Sequence, residues 1–259
     1  MDLIDNFEKT ITDQKIERWR YPRFFAPTDG ETAVIVGEDA KHIGTVLRMK
    51  AGDLAVLCDG KGEDCLCRIS AVNKDCVEFK VLDRQRNEAE PSLFVTLYQC
   101  MPKGDKMDFI VQKAVELGVG RIVPVLSKRC VSRPDEKSFA KKIRRWQKIA
   151  EEAAKQCGRG KIPEVGEQKD FKAAVQEYSP SKKGILFYEC GGAQLSEIID
   201  RNAEEVGVFV GCEGGFEAEE AELAQAHGIA AATLGKRILR CETAPVAALA
   251  VLMNLTGNL

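Results

Sequence analysis

Two glycine-bearing stretches stand close together near the end of the chain. The first is Gly211-Cys212-Glu213-Gly214-Gly215-Phe216, and the second runs Gly235-Lys236-Arg237-Ile238-Leu239-Arg240-Cys241-Glu242-Thr243-Ala244. Each follows a short apolar run of strand type, Val206–Val210 and Ala230–Leu234. In parallel α/β sheets ligands sit beyond the carboxyl ends of strands, so both stretches are candidate ligand loops. Neither is a phosphate cradle of a known kind, since the first is neither GxGxxG nor GxxxxGK[ST]. The residues after it, Glu217-Ala218-Glu219-Glu220, suit the positive end of a helix dipole. Together with Glu213 they repel a pyrophosphate. That weakens NAD, FAD and ATP together, and it favours a phosphate-free ligand with a positive centre, such as the sulfonium of S-adenosylmethionine. The plainer reading is a tight strand-to-helix turn that takes glycine for its positive φ. The residues alone leave both open.

Strands and helices must position these loops. Leu93–Cys100, Arg121–Leu126, Gly184–Tyr188, Val206–Val210 and Ala230–Leu234 read as strands. Asp105–Leu117 reads as a helix with Met107, Ile110, Val111, Ala114 and Val115 on its apolar face. Phe139, Ile143, Trp146, Ile149, Ala153 and Cys157 mark a long amphipathic helix, and a last helix covers Ala244–Thr256. This alternation predicts a mainly parallel sheet covered on both faces, an α/β domain over residues 92–259. Ahead of it, Ala33–Val36, Leu54–Cys58, Cys65–Val72 and Val77–Leu82 are β-type runs, separated by turn signals such as Asp59-Gly60. One helical segment, Asp39–Leu47, interrupts them. They predict a small β-barrel over residues 21–87. The polar stretch Arg84–Ser92, with Pro91 near its end, is the boundary. Residues 1–20 form an N-terminal extension in which Ile4, Phe7, Ile11 and Ile16 carry a weak helical period.

Composition excludes several classes. Hydrophobic residues at 44% and charged residues at 30% describe a soluble globular protein. The start, Met1-Asp2-Leu3-Ile4-Asp5, has no signal-peptide pattern, and the apolar run Ala244–Met253 is too short for a bilayer. A cytoplasmic protein with no membrane contact is expected. The 10 cysteines then read as free thiols. Cys65 and Cys67 lack a second Cys/His pair at zinc spacing, so no metal site is expected. Net charge is −2, yet between Lys128 and Lys161 twelve cations oppose four carboxylates, +8 by subtraction. Such a stripe is either a phosphate footprint or a solvated helix face. His42 and His227 are isolated, and Trp146 belongs to a core face.

Longer motifs sharpen the reading. Arg23-Phe24-Phe25, His42 with Val46-Leu47-Arg48 and Gly52-Asp53, Lys103-Gly104-Asp105-Lys106-Met107-Asp108, Gln112-Lys113-Ala114-Val115-Glu116-Leu117-Gly118, Arg145-Trp146, Glu152-Ala153, Gln156-Cys157-Gly158-Arg159, Glu213-Gly214-Gly215-Phe216, Leu234-Gly235-Lys236-Arg237-Ile238-Leu239-Arg240 and Glu242-Thr243-Ala244 occur in order from about Tyr21 to the end. This set is similar to the RsmE family. The resemblance implies a PUA-like N-terminal β-barrel for RNA and a C-terminal SPOUT-type methyltransferase domain with a trefoil knot. It implies a homodimer that methylates N3 of a 16S rRNA uridine in the decoding region of the 30S subunit. The cofactor is S-adenosyl-L-methionine, held by Gly211, Glu213, Gly214, Gly215, Leu234, Gly235, Ile238 and Leu239. Cys212 stands where the family usually has proline, so a fixed φ is lost. Cys241 replaces a frequent Thr or Ser. The first twenty residues lie outside the family pattern.

Uracil N3 carries a proton, and the charge left by its loss spreads over O2 and O4. The reaction therefore needs a cation beside the base, a proton acceptor and an in-line methyl donor. Arg240 is expected to stabilise the uracil anion, the alternative being an ion pair with Glu242 that fixes the loop. Glu242 is either the base or the group that orients Arg240. Lys103, Lys106, Arg129, Gln156, Arg159 and Arg23 are expected RNA contacts, with a solvated surface as the alternative for each. Two further readings remain: an RNA-binding assembly factor without catalysis, or the same chemistry on another RNA. The last helix is either a dimer face or core.

Overall fold

The computed structural model describes residues 20–178 and 183–259. The helical period expected over residues 4–16 lies outside the described residues. Two compact units share the chain: Met1–Glu90 with Ala154–Ile162, and Pro91–Ala153 with Pro163–Leu259.

In the first unit, β1 (Arg23–Phe25), β2 (Thr32–Val36), β3 (Leu54–Cys58), β4 (Glu63–Val72) and β5 (Cys76–Arg86) form a sheet in the order β1-β3-β4-β5-β2. Only the β1–β3 pair is parallel. β2 alternates strictly, with Ala33 and Ile35 inward and Thr32, Val34 and Val36 outward. Phe24, Ile43, Leu57, Ile69 and Phe79 fill the core. The expected helix over Asp39–Leu47 is a short α-helix α1 (Gly37–Lys41) that widens into a π-type turn at His42–Val46.

Residues 154–162 belong to this unit, whereas the sequence places them with the α/β domain. Glu90 explains why. Its Oε2 accepts from Arg159 Nη2 at 2.9 Å, and its Oε1 accepts from the amides of Gly160 and Lys161 at 2.9 and 3.0 Å. Asn87 Nδ2 donates to Gly158 O at 2.9 Å and to Asp64 Oδ2 at 3.0 Å. A buried guanidinium needs such a partner, and Arg159 is 4% exposed.

The second unit holds β6 (Phe94–Cys100), β7 (Arg121–Leu126), β8 (Glu164–Val165), β9 (Lys169–Asp170), β10 (Lys183–Phe187), β11 (Glu205–Val210) and β12 (Ile229–Ala232). The order is β12-β10-β11-β6-β7-β8, with β9 also on β7, and every pair is parallel. β11 is buried along Val206–Val210, as a strand covered on both faces must be. The helices are α2 (Lys106–Glu116), α3 (Glu136–Cys157), α4 (Phe171–Glu177), α5 (Leu195–Ile198), α6 (Ala218–Ala226) and α7 (Thr243–Leu255), the last four residues of α3 counting with the first unit. α2 buries Met107, Ile110, Val111, Ala114 and Val115, and ends at Gly118, whose φ of 85° suits glycine.

Behind β10 and β11 lies an aromatic cluster. Tyr98 stacks on Phe209 with centroids 4.3 Å apart, and Tyr178 meets Phe209 edge-on at 5.9 Å. The Tyr178 hydroxyl accepts from Gly207 N at 3.0 Å and donates to Lys183 O. Burial pushes this phenol up to about 12. A methyl on Gly207 would lie well inside van der Waals contact of Tyr178 Cε2. Gly207→Ala is therefore expected to lower stability by about 1–3 kcal/mol through overpacking, visible as a lower midpoint in thermal unfolding.

Candidate active site

Since β12, β10 and β11 are parallel neighbours, their carboxyl ends meet at one edge. Three loops rise there, and with Cys241 and Ala244 they line an open cavity of about 290 Å³. Tyr188 and Glu189 follow β10, residues 211–215 follow β11, and residues 233–239 follow β12. Gly211, Glu213, Gly214, Gly215, Leu234, Gly235, Ile238 and Leu239 all line it.

Local chemistry shapes each wall. Gly215 N donates to Cys212 O at 3.0 Å, closing a tight turn, and Gly215 sits at φ 68° with the Glu189 carboxylate where a side chain would project. β12 ends at Ala232, two residues before the expected end, because Thr233 turns the chain: its hydroxyl accepts from Gly235 N at 3.1 Å. Leu234 thereby becomes a loop residue. Cys212 is buried, and its contact with Cys130, together with burial, raises its thiol well above the ordinary value. It stays neutral at the base of the loop.

The cations expected at RNA occupy different places. Arg129 lies across Gly214, donating to its carbonyl at 2.7 Å and to both oxygens of Glu217 at 2.9 and 3.0 Å. Glu217 caps α6 in a reciprocal box with Glu220. Arg129 thus braces the cavity loop, with its side chain 40% exposed. Arg23 grips Asp64 with two nitrogens at 2.7 and 2.6 Å, and Arg159 is buried on Glu90, so both serve the first unit's own structure. Lys103 and Gln156 are exposed. Much of the basic stripe is neutralised in the same way: Lys128 pairs with Glu219, Arg145 with Asp108 and Lys155 with Asp39. Lys137, Lys141 and Arg144 remain exposed along α3. Trp146 is buried, as its position predicts, and donates to Asp108 at 3.0 Å.

Lys106 stands among carboxylates. Its Nζ lies 3.0 Å from Glu213 Oε1, 3.1 Å from Glu242 Oε2 and 3.6 Å from Cys241 Sγ. The two carboxylates hold its ammonium above the ordinary lysine range. Glu213 also accepts from Lys103 N at 3.1 Å. Burial opposes its charge, but its own amide, Lys106 and the Lys103 amide outweigh that and keep the carboxyl below its usual value. For Glu242, burial is likewise outweighed by Cys241, the Glu242 amide and Lys106. Cys241 is pushed up to about 12, first by burial and then by Glu242, so it donates its proton to that carboxylate. Arg240 is exposed, and among the described residues its side chain has no carboxylate partner. The alternative reading, an Arg240–Glu242 ion pair, is not formed; Glu242 is held by Lys106 and Cys241 instead.

The sequence reading missed Glu189 and the clamp around Lys106. The loop after β10 carries Glu189-Cys190-Gly191-Gly192, a glycine pair at the same sheet edge, and that signal was open to reading.

Residues 89–253 match the family model of an RNA methyltransferase domain, and residues 35–82 that of an RNA methyltransferase PUA domain. A Bacillus subtilis relative, ribosomal RNA small subunit methyltransferase E, is 34% identical over 250 residues, 93% of each chain. The chain belongs to the RsmE family of RNA methyltransferases. An RsmE from Mycobacterium bovis is 28% identical over 90% of each chain. The crystal structure of RsmE from Neisseria gonorrhoeae bound to S-adenosyl methionine superposes with a TM-score of 0.84 at 34% identity, covering 91% of this chain and 98% of that one.

The lowered carboxyls of Glu213 and Glu242 have a pH consequence. A folded pKa below the unfolded value gives stability that is present above the unfolded pKa and lost as pH falls through the folded one. The ordinary value is 4.5, so the window lies below it. In thermal melts taken from pH 6 to pH 3, the stability gap between the unmodified chain and Lys106→Met is expected to be full at pH 6 and to close toward pH 3. A gap independent of pH would contradict this.

Proposed function

We propose that this chain transfers the methyl group of S-adenosyl-L-methionine to N3 of a uridine in the 16S rRNA of the small ribosomal subunit. The cavity at the three strand ends carries the reading. Leu234, Ile238 and Leu239 offer apolar surface to a purine, and the glycines of the β11 loop let the backbone approach closely. Glu189 and Glu213 line the wall formed by the β10 and β11 loops and Lys236 and Arg237 that of the β12 loop, so a positive centre is favoured on the carboxylate side. The residues present therefore fit this cofactor, which supplies an electrophilic methyl on a positively charged sulfur.

The chain's own groups supply the rest. Arg240 is the cation for the uracil anion, because it is exposed beside the cavity and no carboxylate among the described residues neutralises it. Glu242, already ionised and held by Lys106, is a weak proton acceptor. It organises the turn, and the N3 proton passes to solvent. Lys137, Lys141 and Arg144 on α3 supply positive charge for the phosphate backbone. A homodimer is part of the reading: α7 is apolar round most of its circumference and presents Ala247 and Val251 away from its buried face. So are the knotted threading of the cavity loops and a cytoplasmic location. Among the described residues no helix is long and apolar enough to cross a membrane.

The test is methyl transfer from labelled cofactor to unmodified 30S subunits, with naked 16S rRNA and tRNA alongside, read by nucleoside mass spectrometry. 3-Methyluridine on the 30S sample is the expected product. Cofactor binding without transfer to any RNA would contradict the substrate, and no cofactor binding would favour an RNA-binding assembly factor. Arg240→Ala is expected to lower kcat by about 10²–10³-fold, the usual loss for a group that stabilises developing charge.

A further inference from the structure

The turn between the β12 loop and α7 has a rigid backbone and one side chain with a choice. Arg240 O accepts from Thr243 N at 2.8 Å and Ala244 N at 2.9 Å, so the main chain around Glu242 is fixed. Two cations stand near it, Arg240 two residues back in sequence and Lys106 at the start of α2, and only Lys106 is in contact with it. Glu242 Oε2 lies 3.1 Å from Lys106 Nζ, and Arg240 is left exposed.

We propose that Lys106 is a positioning residue: by binding Glu242, it keeps that carboxylate off Arg240 and leaves the arginine free for the target base. The same ammonium also holds Glu213 at 3.0 Å, so one lysine ties the β11 loop and the α7 turn to the start of α2. Its amine is engaged by two carboxylates, with the side chain 33% exposed. The proposal rests on Arg240 acting on the base, as inferred above. It explains why this lysine lies between two carboxylates.

Removing the lysine should release Glu242 to neutralise Arg240. Lys106→Met is expected to lower kcat on 30S subunits by about 10²-fold, the scale on which misplaced catalytic groups act, with KM for the subunit nearly unchanged. Lys106→Arg should restore part of that rate. The deciding variant is Lys106→Met/Glu242→Gln. With the competing charge gone, Arg240 is free again, and kcat should recover about tenfold over Lys106→Met alone, a non-additive result. A double variant no faster than the single one would overturn the proposal. So would a raised KM with kcat intact, which would make Lys106 an RNA contact. A double-mutant cycle in thermal unfolding reads the Lys106–Glu242 pair without any activity: non-additive shifts are expected, and additive ones deny the pair. If the unmodified chain methylates no RNA while that cycle is non-additive, the contact stands, but the proposed function, and with it the lysine's catalytic purpose, falls.

Discussion

Parallel pairing of β10 with both β11 and β12 is the constraint on which the site depends. Gly184 faces Gly207 on one side and Ile229 on the other, and the register continues without a break to Phe187, Val210 and Ala232. Parallel neighbours deliver their carboxyl ends to one edge, so the loops that follow have to converge there. Tight contact behind the strands supports this alignment, since Tyr178 seats its ring where Gly207 has no side chain and bonds to both strands' backbones. No catalytic residue sits in this layer, yet the cavity has no walls without it.

Electrostatics then sorts the charges around that edge. The acids do not all play one part. Glu217 and Glu220 cap α6 and anchor Arg129 and the Lys128 amide, which brace the β11 loop. Glu213 and Glu242 share Lys106. Glu189 presses over Gly215 on the cavity wall, with Arg129 only at 3.8 Å. Lys106 and Arg129 are thus committed to loop architecture, whereas Arg240, like Lys236 and Arg237 of the same loop, has no carboxylate partner among the described residues. An uncommitted guanidinium at the rim and carboxylates within make opposite electrostatic regions a few residues apart, as a cationic donor and an anion-forming base require.

The strands Leu54–Cys58 and Arg121–Leu126 and the buried face of α2 were legible to the residue, because continuous apolar runs and the helical period act locally. Of the eight expected cavity residues, all but Leu234, which was placed at a strand end, were legible as loops after strands together with a family resemblance. The partners of the arginines were not. In sequence Arg23, Arg129, Arg159 and Arg240 look alike, and what separates them is a carboxylate brought from 41, 88 or 69 residues away, or from nowhere. Residues 154–162 joined the first unit for the same reason: Glu90 and Asn87 bind their backbone, and no local pattern announces a long-range hydrogen bond. The end of β12 was misplaced because Thr233 and Gly235 turn a chain whose composition still favours a strand.

The central claim is that this cavity takes a phosphate-free cation. Calorimetric titration of the purified chain with S-adenosyl-L-methionine, and in parallel with ATP, tests it most directly. Binding of the sulfonium compound at one site per chain, with no heat from ATP, is the predicted result. Binding of ATP in competition with it, or no binding of S-adenosyl-L-methionine at all, would contradict the account.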